Sequence, residues 1–203
     1  MTEPAKAVAG VILAAGEARR FGAQKLLAPL GGRALVQHVI GAANASTLTD
    51  VVLVVGADAD RIARIAMGRA RLVRNPDYAT GQASSLQAGL RAVASEIDAA
   101  VVLLGDVPGV TSALVDALIT KQRESGAIAV ISRWNGRRTP PALLHRDLWP
   151  AAFALEGDVG MRDILAHRED VAEIEVTSSL GALDDVDTSD DHSRLAKQPS
   201  ADT

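Results

Sequence analysis

Three cations, Arg19, Arg20 and Lys25, stand around two glycines, Gly16 and Gly22, in the stretch LAAGEARRFGAQK at residues 13–25. The apolar run Val8–Ala14 leads into it, so the cations lie on a loop leaving the end of a buried strand. Further along, the apolar run Ala99–Leu104 leads in the same way into GDVPG, residues 105–109, which presents Asp106. One loop offers backbone N–H groups and cations, and the other a carboxylate. That pairing suits a nucleoside triphosphate with a divalent metal, phosphate on the first loop and the ion on the second. Two familiar loops are excluded by spelling. Five residues separate Gly16 from Gly22 and Lys25 stands three further on, which is not the G-x-x-x-x-G-K-[ST] of a P-loop, and G-x-G-x-x-G does not occur.

The loops need elements to hold them. Further apolar runs at Val51–Val55 and Ala127–Ile131 read as strands buried on both faces. Helical spacing covers Ala34–Ala45, Ala59–Met67, Ser84–Ser95 and Thr111–Arg123, with Ser84 and Thr111 as expected N-caps. RWNGRR at 133–138 marks a turn, Pro140–Leu144 an added strand, Val171–Val176 another, and a helix should follow Asp158. The alternation predicts an α/β fold of three layers, αβα, around a mainly parallel twisted sheet. In such a sheet ligands collect beyond the carboxyl ends of the strands, where both chemical loops lie. Without internal repeats or a linker, residues 1–196 read as one domain and 197–203 as a disordered tail.

Composition narrows the function classes. A formal charge of −4 over 203 residues argues against nucleic acid or a membrane surface as partner. The chain has no cysteine, hence no disulfide and no thiolate metal site. With no signal-peptide core and no run of transmembrane length, a cytoplasmic protein is expected.

Five stretches in order carry a family resemblance: LAAGEARRFGAQKLLAPLGGRALVQHV from Leu13, NPDYATGQASSLQAGL (75–90), GDVPGV (105–110), GDVGMRDIL (157–165) and DVDTSDD (185–191). The first resembles the L-A-[AG]-G-x-S-x-R-M-G-x-x-K opening of the MobA-like nucleotidyltransferases, and the set looks closest to the molybdenum cofactor cytidylyltransferase branch. The resemblance implies the nucleotide-diphospho-sugar transferase (Rossmann-like) type of fold. It implies transfer of CMP from CTP to a phosphorylated acceptor, molybdopterin or molybdenum cofactor, with Mg²⁺ and release of pyrophosphate. A molybdenum hydroxylase would receive the product. Leu13, Ala14, Ala15 and Gly16 match the nucleotide-cradling turn, and Arg20 and Lys25 the phosphate-contacting Arg and Lys. Asn75, Gly81, Ser84 and Ser85 match the segment against base and sugar, and Asp106 and Asp187 the two metal carboxylates. Asp106 thus joins Lys25 and Arg20 as the catalytic set. Ala14-Ala15-Gly16 follows the cytidylyl spelling rather than the guanylyl AGG.

Two positions depart from the family. Ala18 replaces Ser, and GRRTPP at 136–141 stands where G-x-x-G-H-P is usual. The second departure faces the acceptor, so the resemblance carries the nucleotide half of the site and leaves the acceptor open. Asp106 and Asp187 are expected to meet around one ion, with Asp185 as the fallback ligand.

Singly, each residue has a duller account: turn glycines, solvated Arg and Lys, a serine that only caps, an acidic run that starts a helix. The four His have no ligand spacing, and Trp134 and Trp149 read as packing. The ordered set outweighs these accounts. Three other readings stand beside it: another nucleotide or phospho-acceptor, an oxidoreductase of the nicotine blue oxidoreductase type, and a non-catalytic cofactor-delivery chaperone.

Overall fold

β1 (Val8–Ala14) is buried because helices cover both its faces. Val8 and Ile12 point into one apolar layer, beneath α1 (Leu35–Ala45), α2 (Ala59–Ala66) and α4 (Ser112–Ser125). Ala9 and Val11 point into the other, beneath α3 (Gln82–Ala92), α5 (Trp149–Phe153) and α6 (Met161–Leu165). The computed structural model describes residues 2–17, 21, 24–66, 68–166 and 168–196. Within them lies the three-layer α/β arrangement that the alternating runs predict. Each fully buried aliphatic side chain, such as Leu53, Leu103 or Leu118, contributes roughly 1.5–3 kcal/mol relative to exposure.

Beside the short hairpin of β2 (Pro29–Leu30) and β3 (Arg33–Ala34), the remaining strands form one seven-stranded sheet. These are β1, β4 (Asp50–Val55), β5 (Arg71–Arg74), β6 (Ala99–Leu104), β7 (Ala129–Trp134), β8 (Arg137–His145) and β9 (Val171–Glu175), in the order β5-β4-β1-β6-β8-β7-β9. β1 pairs in parallel with β4 on one side and with β6 on the other. The chain therefore changes direction of travel across the sheet at β1, and its carboxyl end opens at a topological switch point.

Four sequence expectations are corrected. β7 begins at Ala129 rather than Ala127 and runs on to Trp134. The strand expected at 140–144 is the nine-residue β8, antiparallel to both its neighbours. Asn135 and Gly136, both at positive φ, join it to β7 by a two-residue turn that suits the twist of the paired strands. β5 had no counterpart in the sequence reading, and the last helix, α7 (Ser189–Leu195), had one only in the bland account of the acidic run. Ser84 is not an N-cap. Gly81 holds that position and Ser84 lies inside the first turn of α3, whereas Thr111 does cap α4 by accepting the Leu114 N–H at 3.2 Å. The tail expected to be disordered, 197–203, lies outside the described residues.

At the sheet's amino edge, Asp98 accepts the N–H groups of Lys6 (2.8 Å) and Ala7 (3.0 Å) and anchors the start of β1. The Ala7 N–H, then that of Lys6, holds its carboxyl below the usual 3.8, against the opposing effect of burial. A value depressed in the folded state stabilises above the unfolded value and is lost as pH falls through the folded one. Wild type should therefore lose more stability than Asp98→Asn between about pH 5 and about pH 2, read from urea midpoints. Equal slopes would remove Asp98 from the acid-unfolding account.

Candidate active site

The carboxyl ends of β1 and β6 border an open cleft of about 380 Å³. Leu13, Ala14, Ala15 and Gly16 form one wall, Tyr78, Gly81 and Ser85 another, and Lys25 and Asp106 line its floor. The main chain holds these loops together. Gly105 N–H donates to Leu13 O at 3.0 Å, Ala57 N–H to Ala15 O at 3.1 Å, and Asn75 N–H to Val55 O at 2.8 Å.

Lys25 starts a single 3₁₀ turn, Lys25–Leu27, pinned by the buried Leu26. The buried Gln24 braces that turn against the strand end: its Nε2 donates to Gly16 O at 3.2 Å and its Oε1 accepts from Leu26 N–H. So placed, the Lys25 ammonium sits 2.6 Å from Asp106 Oδ2 and 2.7 Å from Asp187 Oδ1. Burial pushes the Lys25 value down, but the charges and hydrogen bonds of Asp106 and Asp187 outweigh it, and the net direction is up. Asp185, partly buried beside them, is pushed up by burial and then by the Asp187 and Asp106 charges.

The C-terminal segment brings Asp187 to this point. It runs back along the loop after β6, with Ala182 N–H on Gly109 O and Val186 N–H on Asp106 O, both at 3.1 Å. Thr111 Oγ1 donates to Leu180 O at 2.7 Å, and the side chains of Leu183 and Val186 are buried beneath the segment. The acidic run then starts α7, capped by Thr188, whose Oγ1 accepts the Asp191 N–H at 3.1 Å. His192 Nε2 lies 2.8 Å from Pro29 O and fastens α7 to the β2–β3 hairpin.

Asn75 stands behind the cleft wall, buried. Its Nδ2 donates to the hydroxyls of Ser84 (2.9 Å) and Ser85 (3.0 Å), and its Oδ1 accepts the Asp77 N–H. Ser84 spends its own proton on the carbonyls of Gly81 and Asp77, so it holds the turn, and Ser85 is the serine that lines the cleft. Gly81, at φ +122°, presses on residues 157–158: a Cβ there would lie 2.2 Å from the Gly157 carbonyl. No side chain fits at that junction.

Of the residues singled out from sequence, Leu13, Ala14, Ala15, Gly16, Lys25, Gly81, Ser85 and Asp106 thus line one cleft, and Asp187 meets Lys25 at its floor. Arg20, with Arg19 and Gly22, lies outside the described residues. Gln24, Tyr78, Gln82 and Asp158 also line the cleft and had no assigned role, although each stands inside or beside a quoted motif.

A second hollow of about 270 Å³ adjoins the first, sharing Leu13, Gln82, Leu104 and Asp158. Its origin is a register break. β8 pairs with β6 only as far as Ala142 opposite Val102, and its register with β7 shifts between Ile131 and Ser132. Arg138, Thr139 and Pro140 therefore peel away from the end of β6 and wall the hollow opposite Asp158 and Asp185. Arg138 is itself held by Glu173 Oε1 (2.7 Å) and Leu165 O (2.6 Å). The GRRTPP departure falls on this hollow and not on the first cleft.

Comparison with known proteins agrees with the geometry. The profile of a family described as the MobA-like NTP transferase domain matches residues 10–171. Nicotine blue oxidoreductase of Paenarthrobacter nicotinovorans is 33% identical over 196 residues, covering 93% of this chain and 96% of that protein. The crystal structure of a homologue of Mycobacterium tuberculosis Rv0371c, from Mycobacterium sp. strain JC1, superposes with a TM-score of 0.81 at 30% identity, over 93% of this chain and 94% of the other. Rv0371c itself, solved in complex with manganese, shares the fold with a TM-score of 0.82 at 24% identity, over 96% and 100% of the two chains.

Proposed function

Since the chain belongs to the MobA-like NTP transferase family, we propose that it moves CMP from CTP to a phosphorylated small-molecule acceptor, of the molybdopterin class, and releases pyrophosphate. The observation that carries this reading is the meeting of Lys25, Asp106 and Asp187 at the floor of the cleft lined by Ala14, Ala15 and Gly16. The family membership makes it a nucleotidyltransferase of the MobA-like kind. The base and the acceptor are the proposed part.

The donor set fits a divalent ion. Two carboxylates already share one cation, the Lys25 ammonium, and hard oxygen ligands are what Mg²⁺ takes. Among the described residues no group of three His, Cys, Asp or Glu is placed to hold a metal. An ion bound through two carboxylates would be completed by phosphate and water. Asp106 and Asp187 would hold it, and when bound it supplies charge neutralisation at the α-phosphate. The manganese in the Rv0371c structure belongs to that protein and supports the choice of ion only by likeness of fold.

The rest of the chemistry falls to the chain. The Ala14-Ala15-Gly16 turn lets backbone approach the phosphates, and Lys25 answers the charge that gathers on the leaving pyrophosphate. The acceptor's phosphate oxygen, already ionised at neutral pH, forms a bond to the α-phosphorus as the α–β bridging P–O bond breaks. No strong general base is needed, so in-line positioning decides the rate. The acceptor would lie in the second hollow, against Arg138, Thr139 and Pro140.

CTP with Mg²⁺ should raise the melting temperature more than GTP with Mg²⁺. At a hundred times its dissociation constant a ligand adds about 2.7 kcal/mol. Equal shifts, or a larger one with GTP, would defeat the cytidylyl assignment while leaving the family intact. A second reading, hydride transfer, is favoured by the relative named nicotine blue oxidoreductase. Consumption of a reduced nicotinamide cofactor with a dye as acceptor, without pyrophosphate release from CTP, would establish it in place of the first.

A further inference from the structure

The metal carboxylates are not waiting empty. Asp106 and Asp187 come from segments far apart in the chain, and both meet the same ammonium, at 2.6 and 2.7 Å. The Lys25 side chain is 14% exposed, so its charge is little screened by water where it sits. A divalent ion shared by those two oxygens and an ammonium between them would claim the same space. The Lys25 stem leaves a turn fixed by Leu26 and Gln24, and the side chain also borders the open cleft, so its head has somewhere else to go. A four-carbon stem carries a point charge that swings easily between partners.

We propose that Lys25 is an exchangeable counter-ion for the metal site. In the nucleotide-free protein it stands between Asp106 and Asp187 and keeps divalent ions out. It leaves when a triphosphate offers it phosphate oxygens, so metal loads together with nucleotide and not before. The same side chain is then lock in one state and phosphate ligand in the other. This rests on the reading that Asp106 and Asp187 hold the metal. It adds an order of binding and a reason for that order.

The test uses free Mn²⁺ as probe, counted by electron paramagnetic resonance, with full-length wild type and Lys25→Met, each without nucleotide. An adjacent unit charge moves a carboxylate equilibrium by one to three pKa units, so its removal should tighten Mn²⁺ binding by about 10- to 1,000-fold. Lys25→Gln should behave alike, and Lys25→Arg should keep the ion out. Adding Asp187→Asn to Lys25→Met should abolish the gain, which assigns it to this pair. Far-ultraviolet circular dichroism and melting confirm that each variant is folded.

Two results overturn the proposal differently. If Lys25→Met binds Mn²⁺ no more tightly than wild type, while wild type with a non-hydrolysable CTP analogue takes up an ion that Asp106→Asn loses, the exchange is wrong and the metal site stands. If no variant gains Mn²⁺ and the analogue brings none that depends on Asp106 or Asp187, the metal reading fails and the exchange fails with it.

Discussion

Lys25→Ala is expected to slow pyrophosphate release from CTP and Mg²⁺ by 10²- to 10³-fold, about 3–4 kcal/mol of barrier, as loss of a preorganised donor at a developing oxyanion does. Its stem leaves a turn held at Lys25–Leu27 and braced by Gln24, so the ammonium reaches the leaving phosphates from a fixed base. The backbone should survive, because the turn is held by buried Leu26 and by hydrogen bonds that do not involve the Lys25 side chain. The assay is pyrophosphate release at saturating nucleotide, beside a melting curve. Unchanged turnover would mean that Lys25 only neutralises Asp106 and Asp187. Slow turnover without tighter Mn²⁺ binding would separate the catalytic role from the exchange.

Ending the chain at Val176 should cost more. It removes Asp187 from the cleft floor, and with it the buried side chains of Leu183 and Val186, together roughly 3–6 kcal/mol at 1.5–3 kcal/mol each. It also strips the hydrogen bonds that clamp Asp106 O, Gly109 O and Thr111 Oγ1. Against a total stability of about 5–15 kcal/mol, such a chain should melt far below the full-length protein and release no pyrophosphate. Asp187→Ala in the full chain separates the two effects, since it should lose turnover and keep most of the melting temperature. A truncated chain with wild-type melting and turnover would remove the C-terminal segment from the site.

The layers and the place of the cleft were legible because runs such as Val8–Ala14 and Ala99–Leu104 are apolar on both faces, which suits strands covered by helices on both sides of the sheet. The end of the acidic run, Asp190 and Asp191, lies in the first turn of α7, as the bland account had it, while Asp187 ahead of the helix meets Lys25. β5 was hidden because an edge strand spelled Arg-Leu-Val-Arg has no buried face to announce itself. Ser84 misled because a serine before an apolar helical run is a cap signal, and the fold instead uses Gly81, whose close approach to Gly157 is a tertiary fact. The same limit applies to the site. Asp187 was reached through resemblance, since nothing in spacing says that it meets Lys25. Gln24 was passed over because its work is to brace a loop, and a brace carries no chemical signature.

The ammonium of residue 25 and its carboxylate partner stand 162 positions apart, almost the full span of the chain. During synthesis β1, β4 and β6 can pair, and the cleft walls can form, while the last segment is still inside the ribosome. Until Asp187 emerges and docks, only Asp106 of these two carboxylates is in place beside Lys25. A chain that has not yet made or docked that segment lacks one of the two carboxylates that meet Lys25, together with the burial of Leu183 and Val186. On the proposed reaction, turnover would report that the segment carrying Asp187 has been made and has docked against Lys25.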